Sequence, residues 1–160
     1  MIKIEICCTS IDAALIAQKY GANRIELCSE LFLGGITPSI GLIESCIKEL
    51  KIPIRVLLRP RGGNFIYSNN EIKVIINDII RLKDLGVEGL VLGLTNEKGS
   101  IPKNKMEKIL NIVDGKMKLT FHKAFDYLEK PIQELKTLID FGFDTILTSG
   151  RKKTAYEGIS

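Results

Sequence analysis

The stretch "RIELC", Arg24 to Cys28, alternates polar and apolar side chains, and "KIEIC" at residues 3–7 nearly repeats it. A period of two is the pattern of a strand with one apolar and one polar face. The same parity runs outward through other segments. Ile2, Ile4 and Ile6, then Ile25 and Leu27, then Ile54, Val56 and Leu58 form the apolar set. Glu5, Cys7, Glu26, Cys28, Arg59 and His122 form the other. Strands covered by helices on both faces are apolar at every position, so a doubly wound sheet does not suit this pattern. A barrel does, with helices outside and polar groups in the lumen near the C-terminal ends of the strands.

The rest of the chain carries the units such a barrel needs. "YGANRIEL" (20–27), "LGVEGLVL" (85–92) and "FGFDTILT" (141–148) share one design, in which a helix ends at a glycine and a short link feeds an apolar strand. Gly21, Gly86 and Gly142 suit the left-handed residue that closes a helix. Helical stripes appear at Ile72, Ile75, Ile76, Ile79 and Leu82, and at Ile132, Leu135, Leu138 and Ile139. Ser10, Ser39 and Asn70 are expected N-caps, and Pro131 suits a first helical turn. Strands are expected near 2–7, 24–28, 53–59, 89–94, 118–123 and 145–149, with helices near 11–20, 40–50, 71–85, 103–113 and 131–141. This α/β alternation predicts a parallel sheet with right-handed crossovers. A complete TIM-like (β/α) barrel has eight strands in typically ~250 residues. The expectation is therefore one barrel domain over 1–160, with about six β/α units and truncated before a seventh strand, "TAYEGIS" opening the sixth helix.

Composition excludes several functions. Lys plus Arg number 23 against 19 Asp plus Glu, spread along the chain with no basic arm, so nucleic acid is not an expected partner. No apolar run approaches the ~20 residues that span a bilayer, and no signal-peptide pattern opens the sequence. A cytoplasmic protein is expected, with Cys7, Cys8, Cys28 and Cys46 as thiols.

The polar lumen residues allow more than one chemistry. Glu5 and Glu26, read as neighbours at matching depth, could share acid and base duties by separating each other's proton affinities, or could neutralise Arg24 or Arg59. Cys7 and Cys28 come two residues later, close enough in adjacent strands for two thiolates to hold Cu(I) or zinc, or else to pack as small buried groups. In this reading the two pairs form stacked rungs, carboxylates inside and thiols at the rim. In "RPRGGNF" (59–65), Arg59 and Arg61 could clamp a carboxylate or phosphate, or tie down their own loop. In "TFHKAFD" (120–126), His122 ends the fifth strand and could serve as general base, acid or metal ligand, with Asp126 orienting it or capping the next segment of chain. Ser149 and Gly150 in "LTSGRK" (147–152) offer backbone amides to an anion. Cys8 and Cys46 have packing positions. No organic cofactor is expected.

Together "EICC" (5–8), "GANRIELC" (21–28), "GGITPSIG" (34–41), "RPRGGNFIYS" (59–68), "TFHKAFD" (120–126) and "LTSG" (147–150) resemble the CutC family of proteins associated with copper homeostasis. The resemblance covers essentially the whole chain. It implies a TIM-like barrel in the cytoplasm, a homo-oligomer (dimer or tetramer), copper tolerance as the role, and Cys7 and Cys28 as the thiol pair. The family usually has Asp where Asn64 stands, commonly Asp near Asn69, and Arg where Lys123 stands; the first change removes a carboxylate, whereas the Lys keeps the charge. Two functions remain in view. One is Cu(I) binding by Cys7 and Cys28. The other is an enzyme acting on a small anionic metabolite through Glu5, Glu26, Arg59, Arg61 and His122.

Overall fold

The computed structural model describes residues 2–159. Six parallel strands lie side by side in sequence order: β1 (Glu5–Cys8), β2 (Arg24–Leu27), β3 (Ile54–Leu57), β4 (Gly89–Leu92), β5 (Lys118–Phe121) and β6 (Thr145–Ile146). Between them run α1 (Ile11–Lys19), α2 (Ile40–Glu49), α3 (Asn69–Leu85), α4 (Lys103–Val113) and α5 (Pro131–Asp140). The result is an open half-barrel, an incomplete TIM-like α/β fold. After β6 the described chain forms only a short 3-10 turn, Tyr156–Gly158, where a sixth helix was expected. Among the described residues no helix is long and apolar enough to cross a membrane.

Local signals set the boundaries. Gly21, Gly86 and Gly142 all have left-handed backbones, with φ of +91°, +72° and +82°. Ser10 and Ser39 cap α1 and α2 as expected. The cap of α3 is Ser68, not Asn70: its hydroxyl accepts from the Glu71 amide while the Glu71 carboxylate accepts from the Ser68 amide. A reciprocal pair satisfies two otherwise orphaned amides, which a lone Asn two residues further on cannot do.

The parity argument holds for the sheet, and packing limits it at the edges. Ile25, Val56, Leu58, Leu90 and Leu119 lie under the helices in one continuous core, and Cys28, Leu57 and Val91 form a separate small cluster on the lumen side. Ile4 and Ile6 share the outward parity yet remain 52% and 39% exposed. A helix covers its own strand and the next one, so the free side of β1 has no cover among the described residues. At the other edge Ile132 and Ile139 of α5 stay 79% and 62% exposed, and within that stripe only Leu138 is fully buried.

The register corrects the rungs read from sequence. Across β1 and β2, Glu5 lies opposite Arg24 and Cys7 opposite Glu26, while the Cys28 amide donates to the Cys8 carbonyl. The strands are offset, so carboxylate faces arginine and thiol faces carboxylate. Beneath them Arg55, 2% exposed, closes the floor. Its Nε donates to Glu88 at 3.0 Å, one Nη to Asp144 at 2.8 Å, and the other to the hydroxyls of Thr120 and Thr145.

Candidate functional site

A cavity of about 200 Å³ opens at the C-terminal ends of the strands, and Cys7, Glu26, Cys28, Arg59 and His122 line it with Leu57, Phe65 and Lys123. Five of the residues singled out in the sequence thus meet in one place. Glu5 does not join them. It forms an ion pair with Arg24, which was one of the two readings open for it. Arg61 is also elsewhere, held by Glu71 and by the carbonyls of Gly62, Asn64 and Ile66. Asn64 takes part in that clamp through its side-chain oxygen.

Arg59 ties the mouth together. One Nη donates to the carbonyls of Leu33 and Gly35 at 2.8 and 2.9 Å, the other to Gly63 at 2.7 Å, and the guanidinium sits 4.9 Å from the Phe65 ring centre. The arginine therefore joins the loops after β2 and β3. Its Nε is buried without a partner.

His122 is buried at the end of β5, its ring 4.7 Å from that of Phe65. Its Nδ1 accepts from the Ala124 amide at 3.1 Å. A neutral imidazole that accepts at Nδ1 carries its proton on Nε2, and Nε2 is buried with no partner. Burial first, and the nearby Arg59 charge second, push its pKa down to about 3. The ring is a neutral donor at physiological pH. A metal at Nε2 would require the proton to move to Nδ1 and break the Ala124 contact, so the general base or metal ligand read from sequence becomes a hydrogen-bond donor. Gly93 makes this position possible, since a Cβ there would stand 2.6 Å from Nδ1. An isolated glycine at the end of a strand marks such an approach.

Glu26 and the thiols share an electrostatic problem. Burial, then the Glu5 charge, raise the Glu26 pKa to about 7 despite a hydrogen bond with Cys7 and the Arg24 charge drawing it down. Burial and then Glu26 push Cys7 up to about 12 and Cys28 up to about 11. Both sulfurs are thiols at neutral pH. Cys28 is fully buried, and its thiol donates weakly to the Cys8 carbonyl at 3.8 Å. Cys7 lies on the open edge strand, so the residue keeps exposed surface although its thiol faces the cavity beside Glu26. No three His, Cys, Asp or Glu side chains converge to hold a metal ion among the described residues.

Asp126, Ser149 and Gly150 lie beside this cavity, not in its lining. The Asp126 carboxylate accepts from the Ser149 amide at 2.9 Å, the Ser149 hydroxyl at 3.1 Å, the Arg151 amide at 3.1 Å and the Thr148 hydroxyl. The anion held by this loop is the chain's own aspartate, and the Gly150 amide donates to Thr148. Burial opposes the charge of Asp126, but these bonds outweigh it and hold its pKa below the ordinary carboxylate value. Sequence reading did not weigh Arg55, Phe65 or Gly93. Arg55 had a signal in "IRVLLR", two residues before Leu57 on the inward parity; Phe65 had none.

Comparison with known proteins agrees with the geometry. The CutC family model matches residues 2–160. A CutC family protein of Yersinia enterocolitica serotype O:8 is 44% identical over 160 residues, which are 100% of this chain and 63% of that protein. One from Photorhabdus laumondii subsp. laumondii is 43% identical over 99% of this chain and 64% of its own length. The chain thus spans a little under two thirds of these relatives. The crystal structure of a candidate copper homeostasis protein CutC from Streptococcus agalactiae superposes with a TM-score of 0.93 at 33% identity, over 99% of this chain and 79% of that one. The carboxyl transferase domain of Rhizobium etli pyruvate carboxylase shares the fold alone, with a TM-score of 0.51 at 9% identity over 91% of this chain and 26% of that one. On its sequence and its fold, this chain belongs to the CutC family.

Proposed function

We propose that the lumen cavity binds a small carboxylic-acid metabolite and exchanges a proton with it. The supporting observation is a pair of buried nitrogens without partners, His122 Nε2 and Arg59 Nε, on two residues that line the same cavity. An unpaired buried donor costs about 1–3 kcal/mol, and a ligand oxygen accepting from both would recover it. The cavity has room for about seven groups the size of a water, at ~30 Å³ each. Lys123 adds a cation at the lining. Glu26 lines the same cavity with a pKa near neutrality, suited to take a proton from carbon while negative charge develops on the oxygen held by His122 and Arg59. The test is deuterium exchange from solvent into a panel of two- to four-carbon carboxylic acids, followed by NMR. Exchange that Glu26→Gln abolishes and His122→Ala slows at least about tenfold supports the reading; exchange indifferent to both removes it.

A second reading comes from the names of the relatives, which assign one of them to copper homeostasis. Cys7 and Cys28 line the same cavity, and two thiolates suit Cu(I). In this reading copper is cargo, held by those two sulfurs alone. With pKa values of about 12 and about 11 both protons must leave on binding, so affinity should rise about a hundredfold from pH 7 to pH 8. Anaerobic Cu(I) titration against a competing chelator measures this. Equal affinity in the Cys7→Ser/Cys28→Ser variant ends the reading. Cytoplasmic location and assembly as a dimer or tetramer complete the proposal.

A further inference from the structure

Beside the lumen cavity lies a second one of about 440 Å³, lined by Lys123, Asp126, Tyr127, Ser149, Arg151, Lys152 and Lys153. Lys123 lines both. Among the described residues none of the four cations forms an ion pair within 4.0 Å. The one carboxylate present, Asp126, accepts on both oxygens from the loop that carries Arg151, Lys152 and Lys153. Those bonds pin the loop at the rim. Arg151 is held there in a left-handed backbone, φ +63°, its amide bound to Asp126 and its side chain left to solvent. Four unpaired positive charges around one concavity form a focused site for an anion of more than one negative charge.

We propose that Arg151, Lys152 and Lys153 bind the phosphate of a phosphomonoester, with Lys123 as the bridge to the lumen. This rests on the reading of the lumen as a carboxylate site: the ligand would be a small phosphorylated acid, its carboxylate toward His122 and Arg59 and its phosphate at the rim. Tyr127, 69% exposed and edge-on to Phe65 at 5.4 Å, stands between the loops as a wall for the carbon chain. The concave shape and modest volume favour a small ester over a polymer.

Calorimetric titration of the full chain with inorganic phosphate tests the subsite. The key variant is Arg151→Gly/Lys152→Ala/Lys153→Ala, in which glycine keeps the left-handed turn. Loss of three partly solvated contacts should raise Kd about tenfold. The exposed pair Lys108→Ala/Lys136→Ala is the charge control and should leave Kd within about twofold. His122→Ala should leave phosphate affinity unchanged while abolishing the response to carboxylic acids. Glycerol phosphate should compete with inorganic phosphate. Absence of phosphate binding, an equal loss in the charge control, or stronger competition by an oligonucleotide or anionic vesicle would each overturn the subsite. Phosphate binding that survives without any carboxylate binding leaves the subsite standing and removes the lumen reading alone.

Discussion

Glu26 and His122 titrate in opposite senses, and the signs separate them. The folded pKa of Glu26 is raised from 4.5 to about 7, so its contribution to stability is complete below about pH 4.5 and is lost as pH rises through about 7. At 1.36 kcal/mol per pKa unit the loss is at most about 3 kcal/mol. The folded pKa of His122 falls from 6.5 to about 3, so its contribution is present above pH 6.5 and is lost as pH falls. Urea unfolding of wild type and Glu26→Gln at pH 5 and pH 8 should show the variant gaining relative stability at the higher pH. A constant difference between the two would mean that Glu26 ionises normally. The same substitution removes the second-largest cause of the high Cys7 pKa, so alkylation of Cys7 at pH 8 should accelerate several-fold. An unchanged rate would show that Glu26 does not hold the thiol protonated.

Among elements, the strands obey parity and the edges decide what parity is worth. Ile25 of β2 and Ile4, just ahead of β1, share the outward face, but one is fully buried and the other 52% exposed. Ile25→Ala should cost about 2–5 kcal/mol by chemical denaturation, in line with buried truncations, and Ile4→Ala under about 1 kcal/mol. Equal costs would show that another polypeptide segment covers β1. In α5, Leu138→Ala should likewise exceed Ile139→Ala, because the helix has a packed neighbour on one side only.

At the scale of the molecule, Arg55 joins four strands: it belongs to β3 and reaches Glu88 ahead of β4, Thr120 in β5, and Asp144 and Thr145 at β6. Breaking such a pair leaves buried or half-buried partners uncompensated, so Arg55→Met should destabilise the chain by about 3–5 kcal/mol. Because the floor lies below the cavity, ligand affinity of the folded fraction should stay within about twofold of wild type. A large change in affinity at unchanged stability would reassign Arg55 from floor to site. Asp144 is the pH probe of this floor. Burial opposes its charge, but hydrogen bonds from Thr145, Arg55 and the Leu119 amide depress its pKa, so the stability it gives is present above pH 3.8 and fades only in stronger acid.

Alternation in "RIELC" and "IPIRVLLRP", and the glycines that end three helices, determined the parallel sheet, the inward face and five of the residues around the cavity. These arise from steric periods of two and 3.6, which act over a few residues and are written locally. Register, pairing and proton position are not local. Whether Glu26 meets Cys7 or Glu5 depends on an offset between strands set by packing across the sheet. Whether His122 accepts or donates depends on an amide two residues on and a glycine just past the neighbouring strand, and whether Ser149 awaits an anion depends on Asp126 having already arrived. Tertiary structure alone decided these, because each is a contact between segments distant in sequence or a choice among partners that the sequence left equal.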